Sequence, residues 1–307
     1  MEVTSERTLW VLFHRFRILW KGEKEMSTIN WYPGHMKKTR ELIGENLKAV
    51  DLVLEVLDAR IPQSSRNPIL DELIKNKRRI VVFNKSDLAD KIATDQWIQA
   101  FQQRGVEGVR MNAMSGKGIK ELYKRLDSYR EEKNAGRQVK KPFRIMIVGV
   151  PNVGKSSLIN RLTGRKSTQT GDRPGVTKGK QWLTMENGMQ LLDTPGILWP
   201  KFEDPQVGRN LAFCGSIKDE IMDLETLALE LIEVLSEKYP QLLQDRYRLE
   251  SIAETPLATM ENIATKRGYV QAGKRFDYQR TARTLLDEFR SGQIGTITLE
   301  MEGEDNQ

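Results

Sequence analysis

The chain has 307 residues, 38% of them hydrophobic, enough to bury a sizeable core and to form two structural units. Lys and Arg number 49 against 42 Asp and Glu, but residues 201–307 hold 13 basic and 20 acidic side chains against 36 and 22 in residues 1–200, so the first two thirds carry +14 and the last third −7. A single cysteine, Cys214, excludes an internal disulfide framework and a cysteine-based zinc site, and points to a reducing compartment, the cytosol.

The stretch from Leu9 to Trp20 is apolar but broken by His14, Arg15 and Arg17. It is too short and too charged to span a bilayer, which takes about 20 apolar residues. No small-residue cleavage site follows it. Two readings stay open: a segment lying on a membrane surface or a partner, or, since Met26 offers a second start, an extension over 1–26 outside the fold.

Further on, Met36, Ile43, Leu47 and Val50 recur at near-helical spacing. Leu52–Leu57 reads as a buried strand ending at Asp58, and Arg79–Phe83 as another ending at Asn84. A helix over Trp97–Gln103, a short strand over Val106–Met111 and a helix over Ile119–Tyr129 continue the alternation, which predicts a parallel α/β sheet. The charged stretch 130–142 is expected to be a loop joining two halves of one domain, before a strand over Phe143–Val148. After Pro200 the pattern predicts helices alone, with Leu224, Leu227, Leu231 and Leu235 on one face and Pro240 and Pro256 opening later helices. The expected organisation is a domain over 27–203, a helical domain over 204–300 and an acidic tail over 301–307.

Directly after the Phe143–Val148 strand comes Gly149-Val-Pro-Asn152-Val153-Gly154-Lys155-Ser156-Ser157, a phosphate-loop pattern in its proper strand-to-helix setting. Glycines let the backbone amides turn toward phosphate oxygens, Lys155 neutralises β/γ charge, and the Ser156 hydroxyl suits Mg²⁺. Asn84-Lys85-Ser86-Asp87 stands at the carboxyl end of a strand, where parallel sheets place ligands. Alone it reads equally well as an Asx turn; beside a phosphate loop it reads as a guanine site, because the Asp87 carboxylate can accept from both N1–H and the 2-amino group. Asn112-Ala113-Met114-Ser115 follows the next strand and could back the same base, though it departs from the usual Ser-Ala-Lys form. Asp193-Thr-Pro-Gly196 suits Mg²⁺ through water and the γ-phosphate through the Gly196 amide, and Thr177 is placed as the switch threonine for Mg²⁺.

The base-reading elements precede the phosphate elements, the reverse of ordinary small GTPases. Cutting such a domain after its Asp-x-x-Gly switch and joining the old ends yields this order without changing the pocket. The switch then runs straight into the helical domain, so γ-phosphate contacts could be passed on to it.

Together with Trp31-Tyr-Pro-Gly-His35-Met and Asp58-Ala-Arg-Ile-Pro62, these motifs resemble those of the YlqF-type circularly permuted GTPases, over about residues 27 to 300. The resemblance implies a circularly permuted P-loop GTPase domain followed by a smaller all-helical domain. It implies a GTPase acting late in assembly of the large ribosomal subunit, binding ribosomal RNA, stimulated by the particle, and coupling hydrolysis to maturation and release. The partners it implies are the large-subunit precursor, its RNA and ribosomal proteins; a cytoplasmic monomer off the ribosome, without stable membrane association, is expected. It also implies K⁺ beside Mg²⁺, with Asn152 at the position of the family's potassium ligand. His35 by itself reads as a packed or capping side chain. Ile197 stands where signalling GTPases carry a water-orienting Gln, and the resemblance offers His35 as the replacement.

Lys266, Arg267, Lys274, Arg275, Arg280, Arg283 and Arg290 cluster in the acidic third, interleaved with Tyr269, Phe276 and Tyr278. They form either a solvated helix face or, as the resemblance implies, an RNA-contacting one. Two other classes compete: a signalling or traffic GTPase anchored through Leu9–Trp20, and an RNA-binding protein whose nucleotide site does not turn over.

Overall fold

The structure is a computed structural model and describes residues 40–41, 43–164, 182–194, 196, 198, 202, 204–271, 273 and 275–303. His35, Thr177, Ile197, Lys274 and the last four residues of the acidic tail lie outside the described residues, as does the 1–26 extension.

The sheet is built from β1 (Leu52–Asp58), β2 (Arg78–Asn84), β3 (Glu107–Arg110), β4 (Arg144–Val148), β5 (Trp182–Thr184) and β6 (Gln190–Leu192), in the spatial order β3-β2-β1-β4-β6-β5. All neighbours pair in parallel except β5, which is antiparallel to β6. Every residue of β1 is buried, as its near-continuous apolar run requires for a strand covered on both faces.

Among the helices on this sheet are α1 (Pro68–Ile74), α2 (Lys91–Gln103), α3 (Ile119–Asn134) and α4 (Lys155–Thr163). The expected helix before β1 is present over 40–41 and 43–47, and it buries Ile43 and Leu47 against Val53, Leu70, Ile74 and Met146. α1 escaped the periodicity reading because it is two turns long; it forms on local chemistry, with Pro68 in its first turn and Asn67 accepting from the Ile69 amide at 3.0 Å. α2 begins six residues earlier than expected, where the Asp90 carboxylate accepts from the Ala93 amide at 2.8 Å.

The expected loop over 130–142 is shorter in the structure. α3 runs on to Asn134 because its last turn has partners: Lys133 Nζ reaches Asp51 at 2.7 Å and the Pro142 carbonyl at 2.9 Å, and Glu132 pairs with Arg78.

The remaining helices are α5 (Pro205–Phe213), α6 (Leu224–Lys238), α7 (Pro240–Tyr247), α8 (Pro256–Arg267) and α9 (Tyr278–Arg290). Pro240 and Pro256 open α7 and α8 as expected. The region is not purely helical: β7 (Val270–Gln271) and β8 (Arg275–Phe276) form a short antiparallel hairpin between α8 and α9. Gly268 in the left-handed region, φ 70°, ends α8 and turns the chain into it.

One apolar core continues from Leu54 and Ile147 of the sheet through Leu211 and Phe213 of α5 to Leu231 and Leu285. Past α9 the chain returns to the sheet. The Ile297 and Leu299 amides donate to the Leu88 and Arg60 carbonyls at 2.9 and 2.8 Å, and Trp97 Nε1 donates to the Glu300 carbonyl at 2.9 Å. The buried Glu300 carboxylate accepts from the Gln63 and Ser64 amides, from the Ser64 hydroxyl and from Asn210 Nδ2.

Candidate nucleotide site

β4 ends at Val148 and the chain passes through Gly149–Gly154 into α4, whose first residue is Lys155. Gly149 must be glycine because any Cβ there would run into the Val56 carbonyl oxygen of β1. Asn152 and Gly154 occupy positive φ, 59° and 94°, which curl the loop around the amino end of α4. Lys155 is buried, with Nζ donating to the Gly149 and Val150 carbonyls at 3.0 and 2.8 Å. Burial pulls its pKa down to about 8, partly offset by the Asp193 carboxylate. The Asp193 carboxyl is itself pushed up by burial and drawn back by Lys155. At Gly196 a Cβ would stand 2.7 Å from Lys155 Nζ and 3.0 Å from Pro151 Cα, so the absence of a side chain lets this backbone lie close against the phosphate loop.

Asn84 joins the two halves of the site. Its Nδ2 donates to the Val153 carbonyl at 2.7 Å and its Oδ1 accepts from the Ala113 amide at 2.9 Å. Lys85 adopts positive φ, 57°, and its Nζ lies 3.0 Å from Asp58. The Ser86 amide donates to the Met111 carbonyl at 3.1 Å.

In the 112–117 loop, Asn112 Oδ1 accepts from the Met114 and Ser115 amides, both at 2.9 Å. The three amides after Asn112 thus bond to Asn84 and Asn112. Arg161 of α4 clasps the same loop through the Ala113 and Met114 carbonyls.

These elements enclose a cleft of about 260 Å³ whose lining includes Asn84, Lys85, Asp87, Asn112, Ala113, Asn152, Gly154 and Ser157. The structure therefore brings together the base-reading and phosphate-binding candidates. A larger cavity, about 740 Å³, lies at the other end of the sheet and shares no residue with this site.

The structure gives Arg290, Arg60 and Asn152 contacts that the sequence pattern does not announce. Arg290, grouped by sequence with the C-terminal cations, instead lines the nucleotide cleft, donates to the Ala212 and Phe213 carbonyls and pairs with Asp219 at 2.7 Å. Arg60 is 1% exposed, grips Asp58 through two hydrogen bonds of 2.9 and 2.7 Å, and donates to the Phe289 and Arg290 carbonyls that end α9. Burial alone would raise the Asp58 carboxyl, but Arg60 and Lys85 hold it well below the ordinary carboxylate range. Asn152 Nδ2 donates to the Gly215 carbonyl at 3.0 Å, so the phosphate loop touches the segment after α5.

Of the described C-terminal cations, Lys266, Arg275, Arg280 and Arg283 are exposed. Arg280 stacks 4.3 Å from the Tyr269 ring, whereas Arg267 is held by the Glu288 carboxylate at 2.6 Å.

Comparison with known proteins agrees with this geometry. The family described as a 50S ribosome-binding GTPase matches residues 144–261. Ribosome biogenesis GTPase A of Priestia megaterium is 46% identical over 285 residues, covering 91% of this chain and 99% of that protein. Mitochondrial ribosome-associated GTPase 1 of Mus musculus is 35% identical, covering 88% and 89% of the two chains. The crystal structure of GNP-bound YlqF from T. maritima superposes with a TM-score of 0.66 at 28% identity, covering 87% of this chain and all of that one.

Proposed function

We propose, since the chain belongs to the family of ribosome biogenesis GTPase A, the YlqF-type circularly permuted GTPases, that its hydrolysis of GTP serves a late step of large ribosomal subunit assembly. The chain hydrolyses GTP to GDP and phosphate, and its place is in ribosome biogenesis. The finer reading is that it binds the precursor particle through ribosomal RNA and ribosomal proteins in the cytoplasm, that the particle stimulates turnover, and that hydrolysis releases the factor as a monomer. The observation that carries it is the near-complete overlap with relatives named for ribosome biogenesis.

Each part of the cleft has a task in this reading. Asp87 reads guanine, while Asn84, Lys85 and Ser86 hold its loop and Asn112 and Ala113 back the base. The loop over Asn152–Ser157 cradles the phosphates, with Lys155 on the β/γ oxygens and the Gly196 amide on the γ-phosphate. Ser156, Thr177 and Asp193 are the proposed protein-side ligands of Mg²⁺, and phosphate and water would complete its shell. Bound there, the ion would neutralise charge developing on the β/γ oxygens. Asn152 is the proposed K⁺ ligand, exchanging its bond to Gly215 for nucleotide and ion. His35 is the proposed water-positioning group. Lys266, Arg267, Lys274, Arg275, Arg280 and Arg283 are the proposed RNA contacts, with Arg267 contributing only by leaving Glu288.

GTP turnover in K⁺ and in Na⁺, with and without purified large subunits, tests this reading. Stimulation by subunits, greatest in K⁺ and lost in His35→Ala while unstimulated turnover persists, is the expected result. Absence of stimulation by mature or precursor particles in either salt returns the partner to unknown. No helix among the described residues is long and apolar enough to cross a membrane.

A further inference from the structure

The 740 Å³ cleft is lined by Arg66, Lys75, Lys77, Arg78, Arg79 and Arg104. Against these six cations stand two carboxylates, Asp71 and Glu132, leaving the lining at +4. Arg78 opens β2 and Asn84 closes it, so at a rise of about 3.3 Å per residue this cleft lies roughly 20 Å from the nucleotide site.

Exposed cations are commonly no more than a solvated face. Here the floor is ordered. Arg79 is held by Asp71 at 2.6 Å and by Glu55 at 3.3 Å. Arg66 is held by Asp71 at 2.6 Å and lies 5.1 Å above the Phe101 ring, and Arg78, whose fork both Glu132 carboxylate oxygens engage, lies 5.3 Å above Tyr129. Burial, with Asp71 nearby, pushes Glu55 up to about 7, which weakens its neutralisation of Arg79. On the rim, Lys75 is exposed and has no carboxylate partner among the described residues. Arg104, 56% exposed, has Glu302 at 3.4 Å as its one carboxylate partner among the described residues, a surface pair of small value.

A concave floor of ordered guanidinium groups with a net positive charge, beneath freer cations, suits a row of phosphates, one of which could replace the exposed Glu132 carboxylate on the Arg78 fork in the same bidentate fashion. A membrane surface suits it less. None of the large exposed apolar side chains among the described residues, Ile92, Met114, Val139, Ile221 and Val270, lines the cleft, so nothing there would enter the acyl region.

We propose that this cleft binds the phosphate backbone of RNA, as a second contact remote from the nucleotide and formed by none of the C-terminal cations. The choice of RNA among polyanions rests on the ribosomal reading above.

The test is a triple variant, Lys75→Ala with Arg78→Ala and Arg104→Ala, whose side chains are exposed; unchanged thermal unfolding and GTP binding confirm its fold. Binding of a labelled RNA duplex and of purified large subunits is measured across a salt series. The expected result is at least ~10-fold weaker duplex binding, with a log–log salt slope shallower by roughly 2–3, one unit per lost phosphate contact. Duplex affinity and slope equal to those of the unaltered protein overturn the proposal, even where the unaltered protein binds large subunits and the ribosomal reading stands. Should the unaltered protein ignore large subunits while the variant still loses the duplex, the cleft stands and the ribosomal reading falls. Sedimentation with phosphatidylglycerol vesicles that depends on these three side chains, without an effect on RNA, overturns the assignment to RNA.

Discussion

The Asn84 side chain donates to the Val153 carbonyl at 2.7 Å, tying the end of β2 to the phosphate loop, while its oxygen accepts from the Ala113 amide at 2.9 Å. Asn84→Ala strands a buried carbonyl and a buried amide, each costing about 1–3 kcal/mol. Urea unfolding is expected to show a loss of roughly 2–4 kcal/mol, and fluorescent GDP titration at least a ~100-fold weaker affinity. Asn84→Asp keeps the acceptor toward Ala113 but buries a carboxylate against the Val153 carbonyl, so it should destabilise at least as much as Asn84→Ala. Unaltered GDP affinity in Asn84→Ala would show that the two loops hold their positions without this side chain.

Asp87 lines the same cleft beside Lys85 and Asn112. Xanthine presents a carbonyl where guanine presents its 2-amino group, so Asp87→Asn offers a donor to the wrong base and repels the right one. GTP affinity should fall on the order of 100-fold, the scale of two charge-assisted hydrogen bonds, while XTP becomes the preferred nucleotide. A variant that still prefers GTP in competition assigns base selection elsewhere.

Burial draws Lys155 down to about 8, and phosphate bound beside it must draw it back up. Above pH 8 the nucleotide complex then holds up to one more proton than the free protein. Sign and window follow: below pH 8 both states are protonated and affinity is flat; above it, affinity falls about tenfold per pH unit. Calorimetric titration with GDP at several pH values, in buffers of different ionisation enthalpy, reads that proton directly. Flat affinity from pH 7 to 9.5 contradicts it.

Glu55 sits 1% exposed in β1 with its carboxyl pushed up by burial to about 7. Its folded pKa exceeds the unfolded one, so the protonated form favours folding below about pH 4.5. That contribution disappears as pH rises through 7, a change on the order of 3 kcal/mol. Glu55→Gln is therefore expected to raise the denaturation midpoint at pH 8 relative to the unaltered chain and to flatten its dependence between pH 5 and 7. Parallel pH profiles for the two proteins would assign the dependence to other groups.

The nucleotide-binding part of the fold was legible because its signals are local. Gly149–Ser156 follows a strand and opens a helix, and Asn84–Asp87 ends a strand. Backbone conformation and helix-end electrostatics make those requirements within a few residues. The helix over Pro68–Ile74 was missed because two turns hold too little periodicity, and the last turn of α3 because Lys133 finds Asp51 82 positions away.

By itself the sequence supplied the motifs: a phosphate loop, an Asp87 proposed to read guanine, and an order of motifs that belongs to a permuted domain. Tertiary structure decided how the two halves meet. Arg60 neutralises Asp58 and caps the end of α9 some 230 positions away, Arg290 leaves the basic cluster for the rim of the nucleotide cleft, and Glu300 fastens the returning chain to Ser64 and Asn210. Such pairings carry no spacing rule. A buried charge must find a partner, and only the folded chain says which residue stands within hydrogen-bond reach.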